Sequence, residues 1–193
     1  MISRLLLLFA LTVASLNAQT AVPATLKDKF PQLKVQPMVP TKRDQEKRSY
    51  YRQTMTINPQ VLIESAITQP VAAAQATMLT VTMDTREKYV NRREKFNILS
   101  TEALPIPAAD KGTKRTFEFK PSSVTFDAYR DTTNVGGAVY KWYIFALRDE
   151  ATKQILHFET NCPTLAKYLA AHPDQRDKYL NLSAGAEFLE EYK

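Results

Sequence analysis

The chain is poor in the residues that usually announce chemistry: 193 residues contain one cysteine, two histidines, four glycines and one tryptophan. A lone Cys162 permits no internal disulfide and no cysteine-based zinc cluster. His157 and His172 leave little material for a metal site or a catalytic relay. Four glycines, with Gly136-Gly137 the only adjacent pair, cannot build a phosphate-cradling loop, and that pair reads as a turn needing positive φ. None of the serines sits in a G-x-S-x-G setting. No cofactor, no metal and no catalytic residue is expected.

The rest of the composition is ordinary for a globular chain: 44% apolar and 24% charged residues, with 26 basic against 20 acidic side chains. That is enough chain for one core and too little for two full domains. Long apolar runs are absent except at the start. Arg4 precedes Leu5–Leu16, rich in Leu and Ala, and Ser15-Leu16-Asn17-Ala18 offers a small residue at a cut. Residues 1–18 therefore read as a secretory signal, with Ser15 and Ala21 as alternative cleavage points. The run is short of the ~20 residues a membrane helix needs, and no transmembrane segment is expected. Without a cysteine after this run, a lipid-anchored form is disfavoured. With no acid inside it, so is an ordinary type IV pilin. The expected location is the periplasm, the outer surface or the medium.

Residues 19–47 carry Pro23, Pro31, Pro37 and Pro40 of the chain's 11 prolines and show no sustained period. They read as an extended arm or linker. A strand donated to a neighbouring subunit is the alternative, and the prolines argue against it. A monomer is favoured in dilute solution, with a strand-exchange oligomer as the other outcome.

From Ser49 the period becomes two. Tyr51, Gln53, Met55 and Ile57 alternate with Tyr50, Arg52, Thr54 and Thr56 up to Asn58-Pro59, and Val61–Glu64 reads as a short continuation. Further strands are expected at 77–83, 96–101, 114–119, 124–128, 140–147 and 155–160. Tyr140, Trp142, Ile144 and Ala146 fall on one face of the 140–147 strand, and Trp142 is expected inside the sandwich. After Pro163, Leu165, Tyr168 and Leu169 recur at helical spacing until His172-Pro173, and short helical turns follow to the end. They are expected to cover the open end or one edge. The fold class is mainly β: an immunoglobulin-like antiparallel β-sandwich over 48–162, with short C-terminal helices over 163–193 packed on it.

Two segments carry a resemblance. One is Gln75–Met83 leading into a polar hairpin; the other is Lys141–Leu147, a loop, then Ile155–Leu165. Their order resembles a family of small secreted immunoglobulin-like proteins of verrucomicrobial bacteria, over roughly residues 50–172. In that family a Trp-bearing strand precedes a hairpin, and a small-polar/Pro turn leads into a closing helix. Some members are linked to type IV pilus systems, so the resemblance implies a pilus or surface role. It supplies no catalytic residue, and the immunoglobulin disulfide is missing here.

His157 and Glu159 share a strand face and have the residue types for base chemistry or metal ligation. The alternation instead places Leu156 and Phe158 on the core face and turns His157 and Glu159 to solvent. Cys162 at a helix start has the position of an activated thiol, and burial as a small apolar side chain is the expected outcome. Tyrosines are frequent in the strands, and exposed ones can stack on sugars or anchor a protein. Basic residues cluster at 42–52 and 86–95, interleaved with acids. From these features Tyr50, Tyr51, Tyr143, Arg92 and Arg93 are the binding candidates. The expected activity is contact rather than catalysis, with protein partners at the cell surface or pilus and acidic glycans as a second class. A glycan-binding module and an extracellular hydrolase are the alternatives; an exported chain seldom meets nucleic acid, and none is expected as a partner.

Overall fold

A computed structural model describes residues 33–47, 49, 51–65, 70–128, 136–188 and 190–192. Ten strands form three hydrogen-bonded sheets, all antiparallel: β1 (Leu33–Met38), β4 (Gln60–Ser65) and β7 (Lys114–Glu118); β2 (Thr41–Gln45), β3 (Arg52–Ile57) and β8 (Ser122–Asp127); and a four-stranded sheet of β10 (Ile155–Thr160), β9 (Ala138–Asp149), β5 (Ala74–Asp84) and β6 (Phe96–Ile106).

The two three-stranded sheets are one layer broken along a row of prolines. β1 passes into β2 through Val39-Pro40, β3 into β4 through Asn58-Pro59, and β7 into β8 just before Pro121. Proline cannot donate to a ladder, so pairing lapses where the three prolines stand side by side. The layer stays stitched: Asn58 N donates to Pro40 O at 3.0 Å and Phe119 N to Pro59 O at 3.0 Å. Met55, Ile57, Val61 and Ile63 keep one inward phase through the break. With each broken strand counted once, the layers run 1-2-5 and 7-6-3-4 in chain order, an immunoglobulin-like arrangement with the fourth strand beside the third.

The segment expected as an arm therefore contributes two strands of the sandwich, which begins by Leu33 and not at residue 48. β1 and β2 are edge strands, paired on one side only, to β4 and β3 of the same chain. Proline is tolerated there because its missing N–H costs no bond on the open side. Residues 19–32 lie outside the described part. Val61–Glu64 also differs from expectation: it lies within a full strand at the centre of its sheet.

Between the layers, Val35, Val61, Ile63 and Phe119 meet Ala76, Met78, Phe145 and Leu147. The opposite face of the four-stranded sheet is equally apolar. Leu79, Val81, Met83, Phe96, Ile98 and Ile144 are covered by α2 (Pro163–Ala171), a 3-10 turn, α3 (Arg176–Leu180) and the segment after it, through Leu165, Leu169, Tyr179, Leu180 and Phe188. The C-terminal segment thus covers a face, where an end or edge was expected. It protects one edge as well: Gly185 N donates to Ile98 O at 2.8 Å, Ile98 N to Ala186 O at 2.9 Å, and Phe188 N to Phe96 O at 2.8 Å. Trp142 lies on this outer side, its ring centroid 4.4 Å from Phe96 and 5.8 Å from Phe188, and so outside the inter-sheet space where it was expected.

Candidate functional site

Sequence reasoning treats β9 as uninterrupted alternation, and that conceals a bulge. Val81 pairs with Trp142 but Thr82 pairs with Tyr140, so Lys141 is an extra residue. Opposed residues in an antiparallel pair share a face. Tyr140 and Tyr143 therefore join Thr82 and Thr80 on the inner side, while Trp142 faces out. A bulge re-aims a side chain, here that of Tyr140, which simple alternation would place outside with Trp142 and Ile144.

Tyr143 is not a surface residue, contrary to its place among the binding candidates: it is 7% exposed. Its hydroxyl donates to Glu159 Oε1 at 2.6 Å, and Glu159 Oε2 lies 3.1 Å from His157 Nε2. Asn161 Oδ1 accepts from Tyr143 N at 2.7 Å. Burial, reinforced by the Glu159 carboxylate, pushes the Tyr143 phenol far up. His157 and Glu159 thus lie on the inter-sheet side, opposite Leu147 and Phe145, and are partly covered where full solvent exposure was expected. Burial pushes the Glu159 carboxyl up, but hydrogen bonds from His157 and Tyr143 and the charge of His157 together hold it below its ordinary value. The Tyr143–Glu159–His157 chain clasps β10 to β9. Cys162 is buried, its thiol 3.5 Å from Thr164 Oγ1.

A carboxyl held low in the fold contributes stability that is present above its unfolded pKa and lost as pH falls through the folded one. Glu159→Gln is expected to lower stability at pH 7 by about 1 kcal/mol or less, since the group is half-exposed. The two urea midpoints should converge as pH falls beneath the ordinary carboxylate range, where the depressed wild-type carboxyl becomes protonated too. A gap that stays constant from pH 7 to pH 3 contradicts the assignment.

Basic residues gather at one end of the sandwich, where β2 finishes, β3 and β9 begin and β5 turns into β6. This turn is α1 (Thr85–Tyr89) and its loop. Asp84 caps α1, accepting from Glu87 N at 3.0 Å. Lys88 pairs with Glu94, and Arg93 with Glu87 at 3.4 Å. Arg92 adopts a left-handed φ of 57° in this loop. Arg93, one of the binding candidates, is therefore partly compensated by Glu87. Tyr51 is 39% exposed at the start of β3, where its carbonyl accepts from Ala128 N at 2.6 Å. Tyr50 lies outside the described residues, as do Arg48 and Tyr129. Tyr51, Arg92 and Arg93 thus share one end, and Tyr143 stands apart from them.

Between the layers at this end opens a cavity of about 340 Å³, a feature the sequence reading missed. Phe126 and Val139 form its apolar part; Arg43, Gln53, Tyr89, Asp127 and Lys141 supply polar groups. The Arg43 guanidinium lies over the Phe126 ring, 5.6 Å from its centroid. Tyr140 also lines the cavity; burial pushes its phenol up to about 12, with Asn161 partly opposing the shift. Arg43 and Lys141 come from opposite layers, and the bulge adds Tyr140 to the same lining. Among the described residues no group of three His, Cys, Asp or Glu side chains could hold a metal, and no helix is long and apolar enough to cross a membrane.

No protein-family model and no curated protein matches the chain. Among solved structures it is similar to a β-glucuronidase of Bacteroides uniformis, 13% identical, over 67% of this chain and 12% of that one, with a TM-score of 0.34. It is also similar to a protein from the verrucomicrobium Akkermansia muciniphila, 13% identical, over 67% of this chain and 70% of that one, at 0.33. A structural-genomics target is 10% identical over 68% of this chain and 86% of that one, at 0.28. The chain spans about an eighth of the glucuronidase it matches.

Proposed function

We propose that the chain is an exported, non-enzymatic immunoglobulin-like module that acts by contact, at the cell surface or in a type IV pilus-linked assembly. One observation carries the reading: uncompensated cations collect at one end of the sandwich. Residues 41–52 hold five basic and two acidic side chains and residues 84–95 five and three, while residues 142–193 hold six and eight. Among the described residues Lys42, Arg52, Lys88, Arg93 and Lys95 have acidic partners, but Arg43, Arg86, Arg92 and Lys141 make no ion pair. A charged end of this kind speeds and orients association with an anionic surface.

The Leu5–Leu16 run supports export, and the resemblance of the 141–147 and 155–165 segments supports the pilus link. The Tyr143–Glu159–His157 chain serves the architecture in this reading, since its tyrosine is buried between the layers. Untagged protein is expected in the envelope or the medium. Binding to intact cells of the source organism should weaken about tenfold in the Arg86→Glu, Arg92→Glu double variant, and fall as salt rises. Recovery from the cytosol, or cell binding indifferent to both changes, overturns the proposal.

A further inference from the structure

The geometry points to the mouth cavity as a binding site for a singly anionic sugar, a uronic acid residue of a surface polysaccharide. The inference rests on the contact reading above and names its ligand. About 340 Å³ lies at the low end of small-molecule sites. Its two cations flank the opening from opposite layers. Arg43 lies over Phe126, a cation–π contact that uses no acid partner and leaves its guanidinium donors for a carboxylate. Lys141 reaches the cavity from the four-stranded layer, next to Tyr140, which the bulge turns inward. Neither is neutralised by an acid, although five neighbouring cations are. A concave site with unspent positive charge focuses its field on an entering anion.

Asp127 decides between anionic ligands. Its carboxylate lines the same cavity and makes no ion pair among the described residues. An ionised carboxylate only accepts hydrogen bonds. It repels phosphate groups and runs of acidic side chains, but it accepts from sugar hydroxyls. Gln53 can donate and accept beside it. Val139 adds apolar lining for the apolar face of a pyranose ring. One negative charge, several hydroxyls and one apolar face describe a uronic acid better than a phosphate or an acidic peptide.

The test uses the purified secreted chain and four probes: a glucuronate-containing tetrasaccharide, its carboxyl-reduced form, inorganic phosphate and tetraglutamate. NMR shifts should respond to the tetrasaccharide at residues 43, 53, 89, 127 and 141 and remain unchanged with its reduced form. Lys141→Ala, an exposed substitution that leaves the core intact, should weaken binding about tenfold, and Asp127→Asn should weaken sugar binding while relaxing the exclusion of phosphate. No shift at roughly 10 mM tetrasaccharide, above the millimolar range of weak binding, overturns the inference. So does binding that Lys141→Ala leaves unchanged, or tetraglutamate or phosphate binding as well as the sugar. If Lys141→Ala cells-binding matches wild type while Arg86→Glu, Arg92→Glu loses it, the sugar site fails and the contact reading stands. If the tetrasaccharide binds but the intact-cell assay is negative, the site stands and the contact reading fails.

Discussion

A chain ending at Asn161 is expected to lose its native state rather than to yield a smaller stable sandwich. The lost segment brings Leu165, Leu169, Tyr179, Leu180 and Phe188 onto the outer face of the four-stranded sheet, all of them buried. At about 1.5–3 kcal/mol for each fully buried large apolar side chain, five of them contribute on the order of 10 kcal/mol. That is comparable to the entire stability of an ordinary domain, about 5–15 kcal/mol. Truncation also bares Leu79, Val81, Ile98 and Ile144 and removes the backbone bonds that cap the β6 edge at Phe96 and Ile98. An apolar face beside an open edge is a template for aggregation. The expected product binds hydrophobic dyes, elutes as aggregate and shows red-shifted Trp142 emission. The milder Phe188→Ala removes one ring against Trp142 and should cost ~3 kcal/mol, lowering Tm by roughly 6–12 °C while keeping a cooperative transition. A truncated chain that unfolds cooperatively at the wild-type midpoint refutes this account of the C-terminal cover.

The two kinds of apolar surface on β5 and β9 explain what was legible in the sequence. Strand positions follow from alternation, and Met55, Ile57, Leu79, Val81 and Ile144 are buried as their period demands. The closing helix was readable at Pro163 because proline suits a first turn and Leu165 and Leu169 follow at helical spacing. Position in space was not readable. A β9 apolar on both faces signals two coverings, yet nothing local says which covering is sheet and which is helix, so Trp142 was assigned to the wrong one. Prolines misled at 33–45, because an edge strand and a loop place the same demand on the backbone N–H. The candidate site suffered most from the bulge. One extra residue at Lys141 exchanged the faces of Tyr140 and its neighbours, and bulges leave no mark in a hydrophobic period. The basic clusters at 42–52 and 86–95 were visible as composition; that they meet at one end, with a cavity between layers, is a property of the strand order.

Gly137→Ala should be the most damaging single methyl in the molecule. Gly137 sits at φ +86°, in the left-handed region. A Cβ there would lie 1.9 Å from Thr125 O and 2.8 Å from Phe126 Cα, both backbone atoms of β8 that no rotamer change can move aside. The close approach holds two layers together: Gly137 bridges Phe126, Asp127 N donates to Gly136 O at 3.1 Å, and Gly137 O accepts from both Thr85 N and Thr85 Oγ1 at 3.0 Å. Left-handed strain in a non-glycine residue costs about 1–3 kcal/mol. Forced separation of β8 from β9 sacrifices two or more of these bonds at about 1 kcal/mol each. The sum, about 3–6 kcal/mol, corresponds to a Tm fall of roughly 6–24 °C for a chain of this size. Gly112→Ala is the matched control, because Gly112 has φ +70° but nothing within 4 Å of its added Cβ. It pays for strain alone and should fall by only about a third as much. Equal losses in the two variants would show that the β8–β9 approach is not tight. Since Phe126 and Asp127 line the mouth cavity, Gly137→Ala should also abolish tetrasaccharide binding at temperatures where the variant is still folded, whereas Gly112→Ala should bind like wild type.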